Sequence, residues 1–336
     1  MKLKNRLIFI SHILLPCFMV YFLYFTVERY YIYPRTNIHS SKLIIKNHYI
    51  QKSIPSVVDF LVLGDSSGLY AINPTFFSEQ SYSAANVGGT IFSSYNTLTS
   101  LSHIQITKGI LLTQTFIREH YDEDIWSTLV PSRQIELKEI LELLCMHEVT
   151  SCSLITKIKL TFNYYVSFFY LNSEATSQLS NFIRNINDLN LSNLTNWYHE
   201  NIEKNHGHYA SPVNKTLSDR NFKAPYVNFF SKKIPEIPKA EIEYLHKIAQ
   251  FASQRKIKLY FVIAPLEKRT QGDEESKYQI DLNKILKLVA AEGYIIIDGN
   301  AFSDQLSKDD FIDFNHLNKR GADKFSRHLA KKIKQE

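Results

Sequence analysis

Cysteine is scarce in this chain of 336 residues: only Cys17, Cys145 and Cys152 occur. Cys17 lies in the first apolar run, so a single bridge between Cys145 and Cys152 is the most that can form, and only if the domain is extracytoplasmic. A reduced, buried pair is the alternative. A basic stripe is also lacking. The formal charge of +6 is modest, and the lysines and arginines are scattered, which argues against nucleic acid as a partner. Their distribution fits a solvated surface with some affinity for anionic polymers or lipid headgroups. No internal repeat is present, and the weak zinc-like grouping of Cys145, His147 and Cys152 competes with a plainer reading as core. His206-Gly207-His208 has no correctly spaced partner and reads as a polar loop, while Cys145, His147 and Cys152 read as part of a helical core. Neither metal nor cofactor is expected.

Charge is absent from Leu7 to Val27, a run long enough to cross a bilayer as a helix. Lys2, Lys4 and Arg6 precede it and favour a cytoplasmic N-terminus. No small-residue cleavage site follows, so the expectation is a retained single-pass anchor (1–27), a stalk (28–54) and an extracytoplasmic domain (55–336).

Within that domain, strand-like runs alternate with helical stripes at both ends. Val57–Leu63, Ala84–Val87 and Gly109–Leu112 read as strands, with Tyr95, Leu98, Leu101 and Ile104 at helical spacing between the last two. Later come a stripe through Ile242, Leu245, Ala249 and Ala252, a strand at Leu259–Ala264, a helix over 276–291, a strand at Tyr294–Ile297 and a closing helix through Ala322, Phe325, Leu329 and Ile333. The apolar fraction of 44% is ample for a packed core, and the alternation predicts a three-layer α/β/α sandwich with a mostly parallel sheet. The stretch of about 120–235 breaks the rhythm and reads as an insertion over one sheet edge, with a helix over 133–148.

Two short motifs carry chemistry. Gly64-Asp65-Ser66-Ser67-Gly68 stands where the first strand should end, which is where open α/β sheets bind ligands. Asp313 and His316 stand near the other end of the chain. A serine hydroxyl needs a base to take its proton and a carboxylate to orient that base. Ser66 is therefore the candidate nucleophile, His316 the general base and Asp313 its orienting acid. Each has a plainer reading when taken alone: Ser66 as a helix cap, His316 as a surface residue, Asp313 as an N-cap. Order and spacing together favour chemistry.

These motifs resemble the SGNH, or GDSL-type, hydrolases. Gly64-Asp65-Ser66 matches that family's first motif, Asn86-Val87-Gly88 its second, and Asp313-Phe314-Asn315-His316 its last, with Leu317–Ala322 resembling the run into its closing helix. The stretch from Ser66 to Asn73-Pro74 is similar to membrane-anchored members that modify bacterial envelope polymers. The resemblance implies an SGNH/flavodoxin-like fold and an oxyanion hole built from the Ser66 N–H and Gly88. The third motif usually supplies an Asn, but here β-like Gly109–Leu112 runs into Thr113-Gln114, so Gln114, Thr113 or neither takes over that donor's place. The expected activity is hydrolysis of O-acyl esters on an envelope glycan or lipid. Two alternatives stay open: acyl transfer beside a membrane acyl-donor protein, and a non-catalytic scaffold that kept the fold.

Overall fold

The computed structural model describes residues 53–86, 89–115, 203–211, 239–268 and 277–336. Five strands form one parallel sheet in the order β2-β1-β3-β4-β5: β1 (Val57–Gly64), β2 (Tyr82–Ser83), β3 (Gln105–Thr113), β4 (Lys258–Ile263) and β5 (Ile295–Asp298). The order reverses between β1 and β3, so the loops after these two strands diverge and leave a crevice at their carboxyl ends.

Parallel strands are covered on both faces, which explains runs such as Leu-Tyr-Phe-Val-Ile in β4. Alternate residues feed two separate cores. Leu61 and Leu63 of β1, Ile110 and Leu112 of β3, and Leu259 and Phe261 of β4 pack beneath three helices. These are α2 (Ile91–Ser100), α3 (Lys239–Gln254) and α4 (Lys277–Ala291), which contribute Phe92, Leu98, Leu245, Ile248, Ile285 and Val289. Val62, Leu111, Tyr260 and Val262 face the other way. There they meet Leu69 of α1 (Ser66–Ala71) and Ala322, Phe325 and Leu329 of α5 (Lys319–Ile333).

Several boundaries differ from the sequence reading. The second strand is Tyr82–Ser83 rather than Ala84–Val87. The chain nevertheless continues along β1, because Ala84 N–H donates to Val62 O at 2.7 Å and Asn86 N–H to Gly64 O at 2.9 Å. The third strand begins four residues earlier than its apolar run, since Gln105, Thr107 and Lys108 lie at the solvent-exposed end of the sheet. Helix α2 starts at Ile91, where Thr90 and Ser93 form a reciprocal capping box, and it ends before Ile104.

Among the described residues no helix is long and apolar enough to cross a membrane. The Leu7–Val27 run, the stalk apart from its last two residues, Cys145, Cys152, the 133–148 helix and most of the insertion lie outside the described residues.

Candidate active site

Gly64 closes β1 with a φ of 125°, and a Cβ there would run into the Thr113 carbonyl oxygen. Gly68, one turn on, sits equally close to the Thr113 hydroxyl. Thr113 thus fills the space under the turn, and its own hydroxyl donates to Leu63 O at 3.2 Å. These two glycines let the chain pass straight from strand to helix, with Ser66 as the first residue of α1.

Asp65 fixes the turn. One carboxylate oxygen accepts from Ser67 N–H at 2.9 Å and from the Ser67 hydroxyl; the other accepts from Thr115 N–H at 2.7 Å. Asp65 is therefore the N-cap of α1 and ties it to the end of β3. The capping role belongs to Asp65 and not to Ser66, whose side chain is left for another partner.

That partner is His316. Its Nε2 lies 2.8 Å from Ser66 Oγ. Its Nδ1 lies 2.8 Å and 3.0 Å from the two Asp313 carboxylate oxygens. With Nδ1–H donating to the carboxylate, Nε2 carries the lone pair that faces the hydroxyl. Asp313 also accepts backbone N–H bonds from His316 at 2.9 Å and Asn315 at 3.1 Å. Burial works to raise the Asp313 pKa, but the hydrogen bond and charge of His316 and these two N–H groups outweigh it and hold the carboxyl below its ordinary value. Asp313 is not the cap of α5: Asn318 fills that place, accepting from Gly321 N–H at 3.2 Å.

The loop bearing Asp313 and His316 is a tight hairpin-like turn. Phe311 pairs with Leu317 in an antiparallel bridge, and Ile312 N–H donates to His316 O at 2.8 Å.

Of the expected oxyanion donors, Gly88 lies outside the described residues. Ser66 N–H is at the first position of α1, where no intrahelical acceptor exists. Gln114 is buried beside the turn. Its Nε2 makes a long 3.4 Å contact with Gly89 O, and its Oε1 is buried without a hydrogen-bond partner. Thr113 is committed to Leu63 O and to the turn glycines, so it packs beneath the turn. A small cleft next to the turn is lined by Ser67, Gln114, Thr115, Ala264, Leu266 and Asn315 among others; Ser66 is not part of its lining.

Two aromatic residues escaped the sequence reading. The Tyr70 ring lies 4.7 Å from the His316 ring and makes an edge contact with Tyr209 at 4.9 Å. Burial first, then Tyr209 and the charge of Asp313, push the Tyr70 phenol above its usual pKa. Tyr70 was findable, since it stands four residues after Ser66 on the same helix face. Tyr209 was not, because its segment has no periodicity. That segment docks through local bonds: His208 Nδ1 to Leu69 O at 2.9 Å, Tyr209 N–H to the same carbonyl at 3.1 Å, and His206 stacked on Tyr82 at 4.6 Å. His206 and His208 thus anchor the returning chain to β2 and α1. Among the described residues no cluster of His, Cys, Asp and Glu is arranged to hold a metal ion.

The sequence model of one uncharacterised protein family matches residues 230–336. This segment carries α3 through α5 with Asp313 and His316, and leaves the Ser66 turn outside. No curated protein matches the chain.

Proposed function

We propose that this protein is a serine ester hydrolase of the SGNH type, acting on O-acyl esters of a cell-envelope glycan or lipid. The observation that carries this reading is the continuous hydrogen-bonded chain from Ser66 Oγ through His316 to Asp313 at the carboxyl end of β1. The strand order and the helices on both faces support the SGNH/flavodoxin-like α/β/α assignment.

In this mechanism His316 Nε2 takes the Ser66 proton as Oγ attacks the ester carbonyl carbon. Negative charge gathers on the former carbonyl oxygen, where the Ser66 N–H, the Gly88 N–H and the Gln114 amide are the proposed donors. The tetrahedral adduct collapses, the C–O bond to the alcohol breaks, and His316 returns the proton to the leaving oxygen. Water, giving a proton to His316, then attacks the acyl-serine carbonyl; the C–Oγ bond to Ser66 breaks, His316 returns the proton to Oγ, and the carboxylic acid leaves. Asp313 stays ionised throughout and stabilises the transient imidazolium. An alcohol acceptor in place of water would turn the same steps into acyl transfer. The retained anchor, the extracytoplasmic placement and a membrane acyl-donor partner rest on the uncharged run Leu7–Val27 and on the resemblance of the motifs.

Labelling by a fluorophosphonate tests the reading. Reaction in the wild type and none in Ser66→Ala is the expected result; folded wild-type protein that resists the reagent overturns it. An activated acyl ester offered with and without a glycan acceptor separates hydrolysis from transfer.

A further inference from the structure

We propose that Asp310 is a positioning residue for the Ser66–His316–Asp313 chain, clamping the loop that bears both His316 and Asp313 onto α5. Its kinetic consequence rests on the reading of Ser66 as a nucleophile; its geometric consequence does not.

The Asp310 side chain is fully buried. One oxygen accepts from Arg320 Nε at 2.7 Å, and the other from Lys324 Nζ at 2.8 Å, Ser307 N–H at 2.8 Å and Ser307 Oγ at 3.1 Å. Both cations belong to α5. The backbone adds to the clamp: Asp310 O accepts from Asn318 N–H at 3.0 Å, and Gly321 approaches so closely that a Cβ would strike that same carbonyl. Asp310 stands immediately before the bridge of Phe311 with Leu317, so it holds the base of the turn whose tip carries the base and the acid.

Helix α5 also grips the other end of the site. Asn73 N–H donates to Ser326 Oγ at 2.8 Å, and Ser326 Oγ donates at 3.2 Å to the carbonyl of Ala71, the last residue of α1. One rigid helix therefore holds both α1, which begins at Ser66, and the loop of His316. A buried carboxylate between two cations is commonly a stability element alone. Here its partners sit on the element that spans the two halves of the site, and a loosened Asp310 frees His316 to drift from Ser66. Misplacement of about 1 Å in a reacting geometry costs on the order of 10²-fold in rate.

The test uses the full chain and three substitutions: Asp310→Asn, Lys324→Met and, as a charge control, Lys268→Met, whose ammonium pairs with Asp304 on the exposed surface. The readouts are thermal unfolding, the proton resonance of His316 Nδ1–H (assigned by its loss in Asp313→Asn) and the rate of fluorophosphonate labelling. In folded Asp310→Asn and Lys324→Met the resonance is expected to shift or broaden and labelling to slow, by ~10-fold or more for Asp310→Asn. Lys268→Met should change neither. Wild-type resonance and rate in folded Asp310→Asn would overturn the proposal, as would a rate loss that merely tracks the unfolded fraction. Should Asp310→Asn not fold, Lys324→Met decides by the same two readouts, because its side chain is only partly buried. A wild type that does not label defeats the nucleophile reading, and the resonance alone then decides the clamp.

Discussion

Ser66 Oγ and His316 Nε2 stand 2.8 Å apart across 250 residues of sequence, and the Asp313 carboxylate grips the far side of the same ring. Three side chains in such a series act as a unit. Ser66→Ala is expected to abolish labelling and ester cleavage, and Asp313→Asn to lower cleavage on the order of 10⁴-fold by allowing the wrong imidazole tautomer. The double variant Ser66→Ala/His316→Ala should be no slower than Ser66→Ala alone. Steady-state cleavage of an activated ester checks this; multiplicative losses would mean that the groups act separately.

The Thr113 hydroxyl crowds both turn glycines, but its backbone stands only against Gly64, and that difference is measurable. At Gly64 an added Cβ meets the Thr113 backbone carbonyl as well as its hydroxyl, and it also suffers from the positive φ; at Gly68 it meets the Thr113 side chain alone. Gly64→Ala should cost about 1–3 kcal/mol or more, with little relief from Thr113→Ala, because the backbone carbonyl and the positive φ remain. Gly68→Ala should be partly rescued by Thr113→Ala. Chemical denaturation of the three single and two double variants gives the coupling energies, and equal rescue at both positions would contradict the geometry.

Much of this architecture is legible in the sequence for a simple reason. A strand buried on both faces is apolar without interruption, as in Leu259–Ile263, and a helix buried on one face repeats its apolar residues, as Ala322, Phe325 and Leu329 do. Ser66, Asp313 and His316 are legible because short turns fix them locally. Contacts that depend on register between strands are hidden. The tether from Asp65 to Thr115 depends on the pairing of Gly64 with Thr113, and the one contact of the Gln114 amide is with Gly89 O, twenty-five residues away in the chain. Tyr209 and His208 dock through bonds to one backbone carbonyl, which no side-chain pattern announces.

Gln114 has one long bond to lose and a buried oxygen without a partner, so its amide is held loosely. If the amide N–H group serves the oxyanion, Gln114→Leu should slow ester cleavage on the order of 10²-fold with little change in KM. Gln114→Glu should be slower still, because a carboxylate would face the developing negative charge. A Glu variant as fast as the wild type would remove Gln114 from the oxyanion hole.

Tyr70 packs its ring against the imidazole of His316 and takes support from Tyr209. The ring, not the hydroxyl, makes that contact. Tyr70→Phe should therefore retain nearly all activity, whereas Tyr70→Ala should lose about 10–100-fold, mainly in kcat, as His316 gains room to rotate. Equal loss in both variants would point instead to the phenol.

Acid should weaken the fold through a small group of carboxylates whose pKa values lie below the ordinary range. Asp310 is one: burial alone would raise it, but hydrogen bonds from Lys324, Ser307 and Arg320 and the charge of Lys324 bring it down. Asp313 is another, and Asp59 is held at about 2, chiefly by its bond to Lys108. A group with a depressed folded-state pKa stabilises the native protein fully above its unfolded value, about 3.9 for Asp, and loses that contribution as pH falls through the folded value. Removing the Asp310 charge should cost about 1–3 kcal/mol near neutrality, less than for a wholly buried pair because Arg320 and Lys324 are each more than a third exposed. The melting temperatures of wild type and Asp310→Asn should therefore differ most from pH 5 to 7 and converge as pH drops below about 4, since protonation makes the wild-type side chain as neutral as the amide. A gap that stays constant down to pH 2 would mean that the ion pairs with α5 are not what Asp310 contributes, and that its packing alone holds the loop.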